Sequence, residues 1–176
     1  MKKQNIILGA IAGAGAAALA YALLSRDIPK GATAVTPFDA NRYMGLWNEI
    51  ARLPSWIEKD LNQLTEDYSL NPDGTMKVVT RAWNTKNHEW VTAEGKIKFA
   101  GDESVGKLKV SYFAPVYFAY NVLDIDADYK YALVSTSNLD YLWLLSREAD
   151  IPTKIKKRFL TKALEIGFDI AKLEWV

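Results

Sequence analysis

From Leu46 onward, apolar residues mostly alternate with polar residues at a period of two, which is the pattern of half-buried β-strands. Turn signals containing Asn, Asp, Gly or Pro recur about every ten residues, as in the stretch NPDG at 71–74. These turns separate eight predicted strands, near residues 45–53, 64–71, 75–84, 89–100, 105–114, 117–125, 130–136 and 140–147.

The links between these strands are short, and none has the length that the crossover of a Greek key requires. Evenly spaced short strands are typical of an antiparallel sandwich or an up-and-down barrel, and short links favour the barrel. Eight strands can close on themselves, which removes exposed strand edges. We therefore expect an all-β fold built on an eight-stranded antiparallel up-and-down β-barrel.

The pattern changes to a helical one near residues 152–166. Pro152 suits the first turn of a helix and Gly167 suits its end. Such an amphipathic helix either lies on a membrane or packs on the protein's own sheet, and we expect it to pack outside the barrel. The closing LEWV predicts a short final strand. The apolar stripe of the helix consists of Ile155, Phe159, Ala163 and Ile166.

The N-terminus has a different character. Residues 6–24 form a stretch of 19 residues without a charge, close to the roughly 20 that a membrane-spanning helix needs. Small residues that resemble cleavage sites leave a processed signal peptide as the alternative. We predict a signal or membrane-anchor segment at 1–24, a linker at 25–37 and a folded domain at 38–176. Lysines at positions 2 and 3 favour a domain outside the cytoplasm.

Composition removes several function classes. The chain has 22 basic and 21 acidic residues, so it carries no general electrostatic reason to bind nucleic acid. It has no cysteine, which excludes disulfides, thiol catalysis and zinc–thiolate sites. The only histidine, His88, lies in a polar turn and is expected to face solvent. Without a metal-ligand cluster, phosphate loop or nucleophile elbow, we expect no catalysis, no metal and no cofactor.

Two residues distant in sequence are expected to meet in a closed barrel. The first and last strands are neighbours there, so Trp47 and Arg147 can lie together at one end. A guanidinium over an indole ring contributes about 0.5–2 kcal/mol. Ordinary core packing of Trp47 beside a surface arginine is the alternative, and strand periodicity alone leaves both open.

The residues Gly45-x-Trp47, Asp140-Tyr141 and Arg147 resemble the signature of the lipocalin family, with Gly45, Trp47 and Arg147 at the barrel floor. The resemblance covers residues 38–176. It implies an eight-stranded calyx that binds a fatty acid or lysophospholipid in the cell envelope, often as a homodimer. The runs similar to the bacterial, Blc-type branch of the family are RYMGLWNEIARLP, KLKVSYFAPVYFAYNVLDIDADYKYALVS, DYLWLLSR and GFDIAKLEWV.

The chain departs from that branch at three places. The branch usually carries an N-terminal lipobox cysteine, whereas this chain has none, so an acylated cysteine is excluded. Asn48 follows Trp47 where tyrosine is usual, and TRAW at 80–83 replaces the run NRGY. The resemblance implies a location at the outer membrane, whereas the uncharged stretch at 6–24 is what we expect to anchor the protein to the membrane, with its domain facing the periplasm.

Strand alternation predicts the inner face of the barrel. With Trp47 and Arg147 at the floor, Glu49, Ala51 and Leu145 face inward. Glu49 or Glu66 is then placed to contact the polar end of a ligand, and a charge at the rim is the alternative for either. The predicted ligand-binding residues are mostly apolar or aromatic, as an acyl chain requires, and they are Tyr68, Val78, Thr80, Val110, Tyr112, Tyr120, Val134, Tyr141 and Trp143.

Two functions of different classes remain open. The first is a lipid carrier or storage protein of the envelope, which needs a cavity in the barrel. The second is an envelope-anchored interaction module whose barrel is filled by its own side chains, because eight strands permit either interior.

Overall fold

The computed structural model describes residues 27–176, so the predicted signal or anchor segment at 1–24 lies outside the described residues. The helices are α1 (Ala40–Tyr43) and α2 (Thr153–Ile166), followed by a 3-10 turn at Ile170–Lys172. The strands are β1 (Gly45–Arg52), β2 (Leu61–Leu70), β3 (Met76–Asn84), β4 (Glu89–Phe99), β5 (Lys107–Phe113), β6 (Val116–Ile125), β7 (Tyr131–Ser135), β8 (Leu142–Ser146) and β9 (Glu174–Trp175).

Strands β1 to β8 form a closed antiparallel barrel. Each strand pairs with the next along the chain, and β8 pairs with β1 to close the ring. The short strand β9 adds to the outside of this ring, with Ala51 opposite Trp175. The eight-stranded up-and-down barrel is therefore confirmed, as is the short strand at the C-terminus.

Strand β2 begins at Leu61, three residues before its predicted start. The register against β3 shifts between Asn62 and Thr65, and Gln63 has a φ of 49°. This irregularity interrupts the alternation of apolar and polar residues, so a period-two pattern does not detect the first three residues of the strand.

Two apolar layers hold the fold together. The first fills the barrel near its closed end, around Trp47, Tyr43 and Leu108. The second lies between the outer face of the barrel and α2, where Phe159 and Ala163 are fully buried. The helix thus packs outside the barrel, as its apolar stripe predicts.

One inward assignment on β1 is wrong. The register of β1 against β8 shifts between Glu49 and Ala51, so Ile50 is an extra residue. Glu49 lies opposite Leu145, which packs inside the barrel, whereas Ala51 lies opposite Leu144, which packs toward α2. Ala51 therefore faces the helix and not the cavity, because a bulge reverses the alternation beyond it.

Residues 27–37, which belong to the predicted linker, pack on the barrel: Ile28 and Ala32 contact the layer beneath α2, and Val35 contacts the layer inside the barrel. The Val35 N–H donates to the Val122 carbonyl at 2.9 Å, and the Gly106 N–H donates to the Val35 carbonyl at 2.9 Å. Pro29 is buried. Within residues 27–176, none of the helices is both long enough and apolar enough to span a membrane.

Candidate ligand-binding site

The closed end of the barrel is built around Trp47 and Arg147. Trp47 is fully buried, and its indole N–H donates to the Tyr43 carbonyl at 2.9 Å. The Arg147 guanidinium carbon lies 4.0 Å from the centroid of the Trp47 ring. The same guanidinium donates hydrogen bonds to the backbone carbonyls of Arg42, Tyr43, Leu46 and Tyr129.

Gly45 permits this approach of the arginine. Its φ of 91° is in the left-handed region that side chains rarely adopt. A Cβ at this position would lie 3.1 Å from Arg147 Nη1, closer than ordinary contact. Both the backbone conformation and the arginine therefore require glycine, which explains the first residue of the G-x-W motif in this chain.

A cavity of about 490 Å³ lies inside the other half of the barrel. It opens between the β1–β2 loop, which contributes Ser55 to Glu58, and the β7–β8 loop, which contributes Thr136, Ser137, Asn138 and Asp140. All nine of the predicted ligand-binding residues line its wall: Tyr68, Val78, Thr80, Val110, Tyr112, Tyr120, Val134, Tyr141 and Trp143.

The cavity also has lining residues that the alternation does not identify. Trp56 and Ile57 project from the β1–β2 loop, and Leu61 and Leu64 follow at the start of β2. A loop has no periodicity, so pattern analysis assigns it no face. The available signal is composition, because SWI at 55–57 places two large apolar residues in a segment that carries turn-forming residues on both sides.

A chain of phenols runs across the deep part of the cavity. The Tyr43 and Tyr120 hydroxyl oxygens are 2.7 Å apart, and the Tyr120 and Tyr68 hydroxyl oxygens are also 2.7 Å apart. The Tyr68 hydroxyl donates to Glu66 Oε2 at 2.5 Å. The network is therefore anchored on a carboxyl, and Tyr43 belongs to it although no sequence pattern indicates that role.

Glu66 lies on the cavity wall at the end of this chain. Burial raises its pKa to about 7, against the lowering effect of the hydrogen bond from Tyr68. Burial also raises the pKa values of the Tyr68 and Tyr120 phenols, so both remain neutral hydrogen-bonding groups. Near neutral pH, the deep part of the cavity thus holds one carboxyl that ionises within the physiological range.

Glu49 pairs with Arg52 and does not face a ligand, which differs from the expectation based on strand alternation. Its Oε1 lies 2.6 Å from Arg52 Nη1, in an ion pair where both side chains are almost fully buried. Arg52 also donates to the Leu61 carbonyl at 2.6 Å. Glu49 is not among the residues that line the cavity. Its carboxylate is therefore placed to hold β1 and the start of β2 together and not to contact a ligand.

Glu58 connects two sides of the cavity mouth. Its Oε1 accepts a hydrogen bond from Trp143 Nε1 at 2.9 Å, and its Oε2 accepts one from Ser55 Oγ at 2.9 Å. Burial raises the pKa of Glu58, opposed mainly by the charge of Arg52. Since Glu58 belongs to the β1–β2 loop and Trp143 to β8, this bond holds the loop against the last strand.

The described residues contain no arrangement suited to metal binding. His88 is exposed in the β3–β4 turn, as its polar surroundings predict. Across residues 27–176, no three His, Asp or Glu side chains are grouped so that they could hold a metal ion. The cavity instead offers apolar surface, phenols and four carboxyl side chains, those of Asp27, Glu58, Glu66 and Asp140, a composition suited to binding an apolar molecule with a small polar part.

Comparison with known proteins identifies the family to which this sequence is similar. A family model described as a lipocalin-like domain matches residues 38–176. The chain is 44% identical over 170 residues to outer membrane lipoprotein Blc of Citrobacter freundii, covering 97% of this chain and 96% of that protein. It is 37% identical over 148 residues to temperature-induced lipocalin-1 of Arabidopsis thaliana, covering 79% and 78% of the two chains.

A solved structure with low sequence similarity shares the fold. Insecticyanin from the tobacco hornworm Manduca sexta has 19% identity and a TM-score of 0.69, covering 85% of this chain and 86% of that chain. The family model spans the whole barrel and α2, and the Citrobacter relative aligns over nearly the full length. The chain therefore belongs to the lipocalin family.

Proposed function

We propose that this protein carries or stores single-chain lipids, either fatty acids or lysophospholipids, in the bacterial cell envelope. The observation that carries the proposal is the cavity of about 490 Å³, closed at one end by Trp47 and Arg147 and open at the other. Its wall is largely apolar and aromatic, so it supplies the surface that an acyl chain needs. Binding, and not catalysis, is the activity that such a wall supports.

The energetics of an acyl chain suit this cavity. An eighteen-carbon chain that buries about 16 methylenes gains about 13 kcal/mol from leaving water. Loss of translational and rotational freedom, with ordering of the chain, costs about 4–15 kcal/mol. Near the low end of that cost the remainder is about −8 kcal/mol, which corresponds to a micromolar Kd.

The charges on the wall favour one direction of entry. Glu66 lies in the deep part of the cavity and Glu58 lies near the mouth, whereas the cationic side chain on the wall, Lys109, is at the rim beside Asp27. A ligand carboxylate or phosphate placed beside an ionised Glu66 would be repelled in a low-dielectric site. We therefore propose that the acyl chain enters first and that the polar head stays at the mouth.

The proposed location is the envelope membrane. The relatives named outer membrane lipoprotein Blc support this placement. Because this sequence contains no cysteine, a lipid on a cysteine thiol is not available to it. We propose that the uncharged stretch at 6–24 holds the protein at the membrane instead. The homodimer that the family resemblance implies stays a prediction.

Lipid analysis tests the proposal directly. Purified protein is extracted with organic solvent, and mass spectrometry is used to identify co-purified fatty acids or lysophospholipids. Delipidated protein is then titrated with oleate and with lysophospholipid while tryptophan emission is recorded, since Trp143 lies on the cavity wall. We expect a Kd in the micromolar range for at least one of them.

A pair of variants locates the binding. Val110→Trp fills the cavity, so we expect at least a tenfold loss of affinity while the barrel stays folded. Val79→Trp places the same bulk on β3 outside the cavity, and we expect wild-type affinity. If the delipidated wild type binds neither lipid at tens of micromolar, the carrier function is wrong and an interaction module takes its place.

A further inference from the structure

We propose that the cavity selects acyl chains that carry a hydroxyl group on their deeply buried part, and that Glu66 is the residue that recognises this hydroxyl. The inference rests on the lipid-carrier function proposed above and deepens it, because it names a chemical feature of the ligand. The matching feature of the protein is a group of polar side chains deep in a cavity whose wall is otherwise largely apolar.

Strand β2 shows how the wall changes from apolar to polar with depth. Its cavity-lining residues are Leu61, Leu64, Glu66 and Tyr68. Leu61 begins the strand next to the β1–β2 loop, and Tyr68 lies opposite Gly45 at the closed end. An acyl chain whose distal end enters first therefore passes the two leucines before its distal carbons reach Glu66.

The chain of phenols has one direction, which Glu66 sets. The Tyr68 hydroxyl donates its only proton to Glu66 Oε2, so toward Tyr120 it acts as the acceptor. The Tyr120 hydroxyl therefore donates to Tyr68 and accepts from Tyr43. All three phenol protons thus point along the chain toward one carboxyl, and hydrogen bonds aligned in this way strengthen one another.

The other oxygen of Glu66 is open to a ligand. Within residues 27–176, Oε1 accepts no hydrogen bond, because the bond from Tyr68 goes to Oε2. The carboxyl lines the cavity, and its residue is half-buried, so the exposed part of its surface faces the cavity. An acyl chain made only of methylenes would cover this oxygen without supplying a donor, which is unfavourable for a buried polar atom.

A hydroxyl donor lies beside that acceptor. Thr80 is the cross-strand partner of Glu66, and its Oγ1 lies 2.7 Å from the Tyr112 hydroxyl oxygen. Two hydroxyls that share one hydrogen bond use one proton, so the second proton of this pair remains for a further partner. Gly95 leaves room for the arrangement, since a Cβ there would lie 3.1 Å from Tyr112 Cε1.

One open acceptor beside one open donor matches a hydroxyl group, which donates one hydrogen bond and accepts others. A ligand carboxylate only accepts, and an ionised Glu66 would repel it. An ammonium group only donates, so it would leave the remaining hydroxyl proton without an acceptor. Because the polar head of the ligand stays at the mouth, a hydroxyl on the distal half of the chain is the one that reaches Glu66.

A series of eighteen-carbon acids tests this selectivity in the delipidated wild type. Octadecanoate is compared with its 2-hydroxy, 12-hydroxy and 18-hydroxy derivatives by titration of tryptophan fluorescence. We expect the 12-hydroxy or the 18-hydroxy acid to bind at least about threefold more tightly than octadecanoate, because a site built for a hydroxyl penalises the analogue that lacks it. The 2-hydroxy acid, with its hydroxyl at the mouth, should bind as octadecanoate does.

A smaller gain at both distal positions, or a loss, overturns the selectivity. An equal gain for the 2-hydroxy acid also overturns it, because the hydroxyl would then be recognised at the mouth. Binding of octadecanoate or lysophospholipid without a gain from a distal hydroxyl overturns the hydroxyl selectivity alone. Absence of binding by all four acids and by lysophospholipid overturns the carrier function.

Variants of Glu66 then assign the selectivity to its oxygen atoms. Glu66→Gln keeps a hydrogen-bonding group without the charge, so we expect the preference for a distal hydroxyl to be retained. Glu66→Leu removes the acceptor, and we expect the distal hydroxy acids to bind at least about threefold more weakly than octadecanoate. Glu94→Leu, on the outer face of β4, is the matched control and should keep the wild-type preference.

An unchanged preference in Glu66→Leu overturns the role of Glu66. If that variant does not fold, Glu66→Gln and the acid series on the wild type still decide the outcome. Loss of the preference in Glu66→Gln would mean that the charge of Glu66 selects the ligand, and it would overturn recognition of a hydroxyl by hydrogen bonding.

Discussion

At the closed end of the barrel, Arg147 covers Trp47 and donates hydrogen bonds to four backbone carbonyls. At the open end, Glu58 joins a loop to β8 through one bond to Trp143, and Trp56 is 56% exposed. The two ends thus use the same residue types, aromatic rings and charged groups, but the floor tryptophan is fully buried whereas Trp56 at the mouth is largely exposed.

The difference indicates a division of roles along the barrel axis. A floor with buried, multiply bonded groups contributes to the free energy of unfolding, because removing any one of them leaves a cavity or an unpaired polar atom. A mouth with exposed apolar groups contributes less to stability and is available for contact with lipid. Substitutions at matched residues in the two regions therefore test the division.

The largest effect is expected from Trp47→Ala. Trp47 is fully buried and supports the Arg147 guanidinium, so its removal leaves a large cavity at the floor. We expect a loss of about 3–5 kcal/mol in the free energy of unfolding, measured by urea denaturation.

Trp90→Ala is the matched control at the open end. Trp90 is 39% exposed on the outer surface, where it stacks with Arg81. We expect a loss of at most about 1 kcal/mol. Equal losses for Trp47→Ala and Trp90→Ala would contradict the floor as the stabilising region.

The second prediction concerns Arg147→Lys. Lysine keeps the charge but cannot supply the planar set of donors that reaches four carbonyls and covers the indole ring. We expect a loss of about 2–3 kcal/mol, since the partly buried carbonyls of Tyr43 and Tyr129 lose their donor and the indole ring loses its cover. The control is Arg158→Lys on α2, where a half-exposed arginine pairs with Asp124, and the expected change is below about 0.5 kcal/mol. A similar small change at Arg147 would show that its carbonyl contacts are dispensable.

The sequence predicts which strand residues face the cavity, but it does not predict the faces of residues in bulges, loops and short helices. Alternation places nine residues on the cavity wall correctly because β-strands present successive side chains to opposite faces. It fails at Ala51, where a bulge adds a residue. It also gives no face to Trp56 or Glu58, which lie in a loop, or to Tyr43, which lies in a one-turn helix before β1.

The third prediction is a pH dependence that Glu66 causes. Burial raises its pKa from an ordinary value of 4.5 to about 7, so the folded state favours the protonated carboxyl. This contribution to stability is fully present below pH 4.5 and is lost as the pH rises through 7. A rise of that size corresponds to about 3 kcal/mol, and water in the open cavity reduces it, so we expect about 1–2 kcal/mol.

The comparison of Glu66→Gln with wild type isolates this effect from the other carboxyls. Free energies of unfolding are measured at pH 5 and pH 8.5, and we expect the wild type to lose about 1–2 kcal/mol more than the variant over that range. Glu94→Gln, on the outer face of β4, is the control and should follow the wild type. Parallel curves for Glu66→Gln and wild type would mean that Glu66 titrates as an exposed carboxyl does.

The smallest effect on stability is expected from Trp56→Ser at the mouth. Its side chain is more than half exposed, so little apolar surface is returned to water, and the free energy of unfolding should change by less than about 0.5 kcal/mol. Because Trp56 lines the mouth of the cavity, the same variant should weaken binding of oleate to delipidated protein in the fluorescence titration. A loss above about 2 kcal/mol would instead mean that Trp56 contributes to stability as a core residue does. It would contradict the conclusion that the mouth contributes less to the free energy of unfolding than the floor.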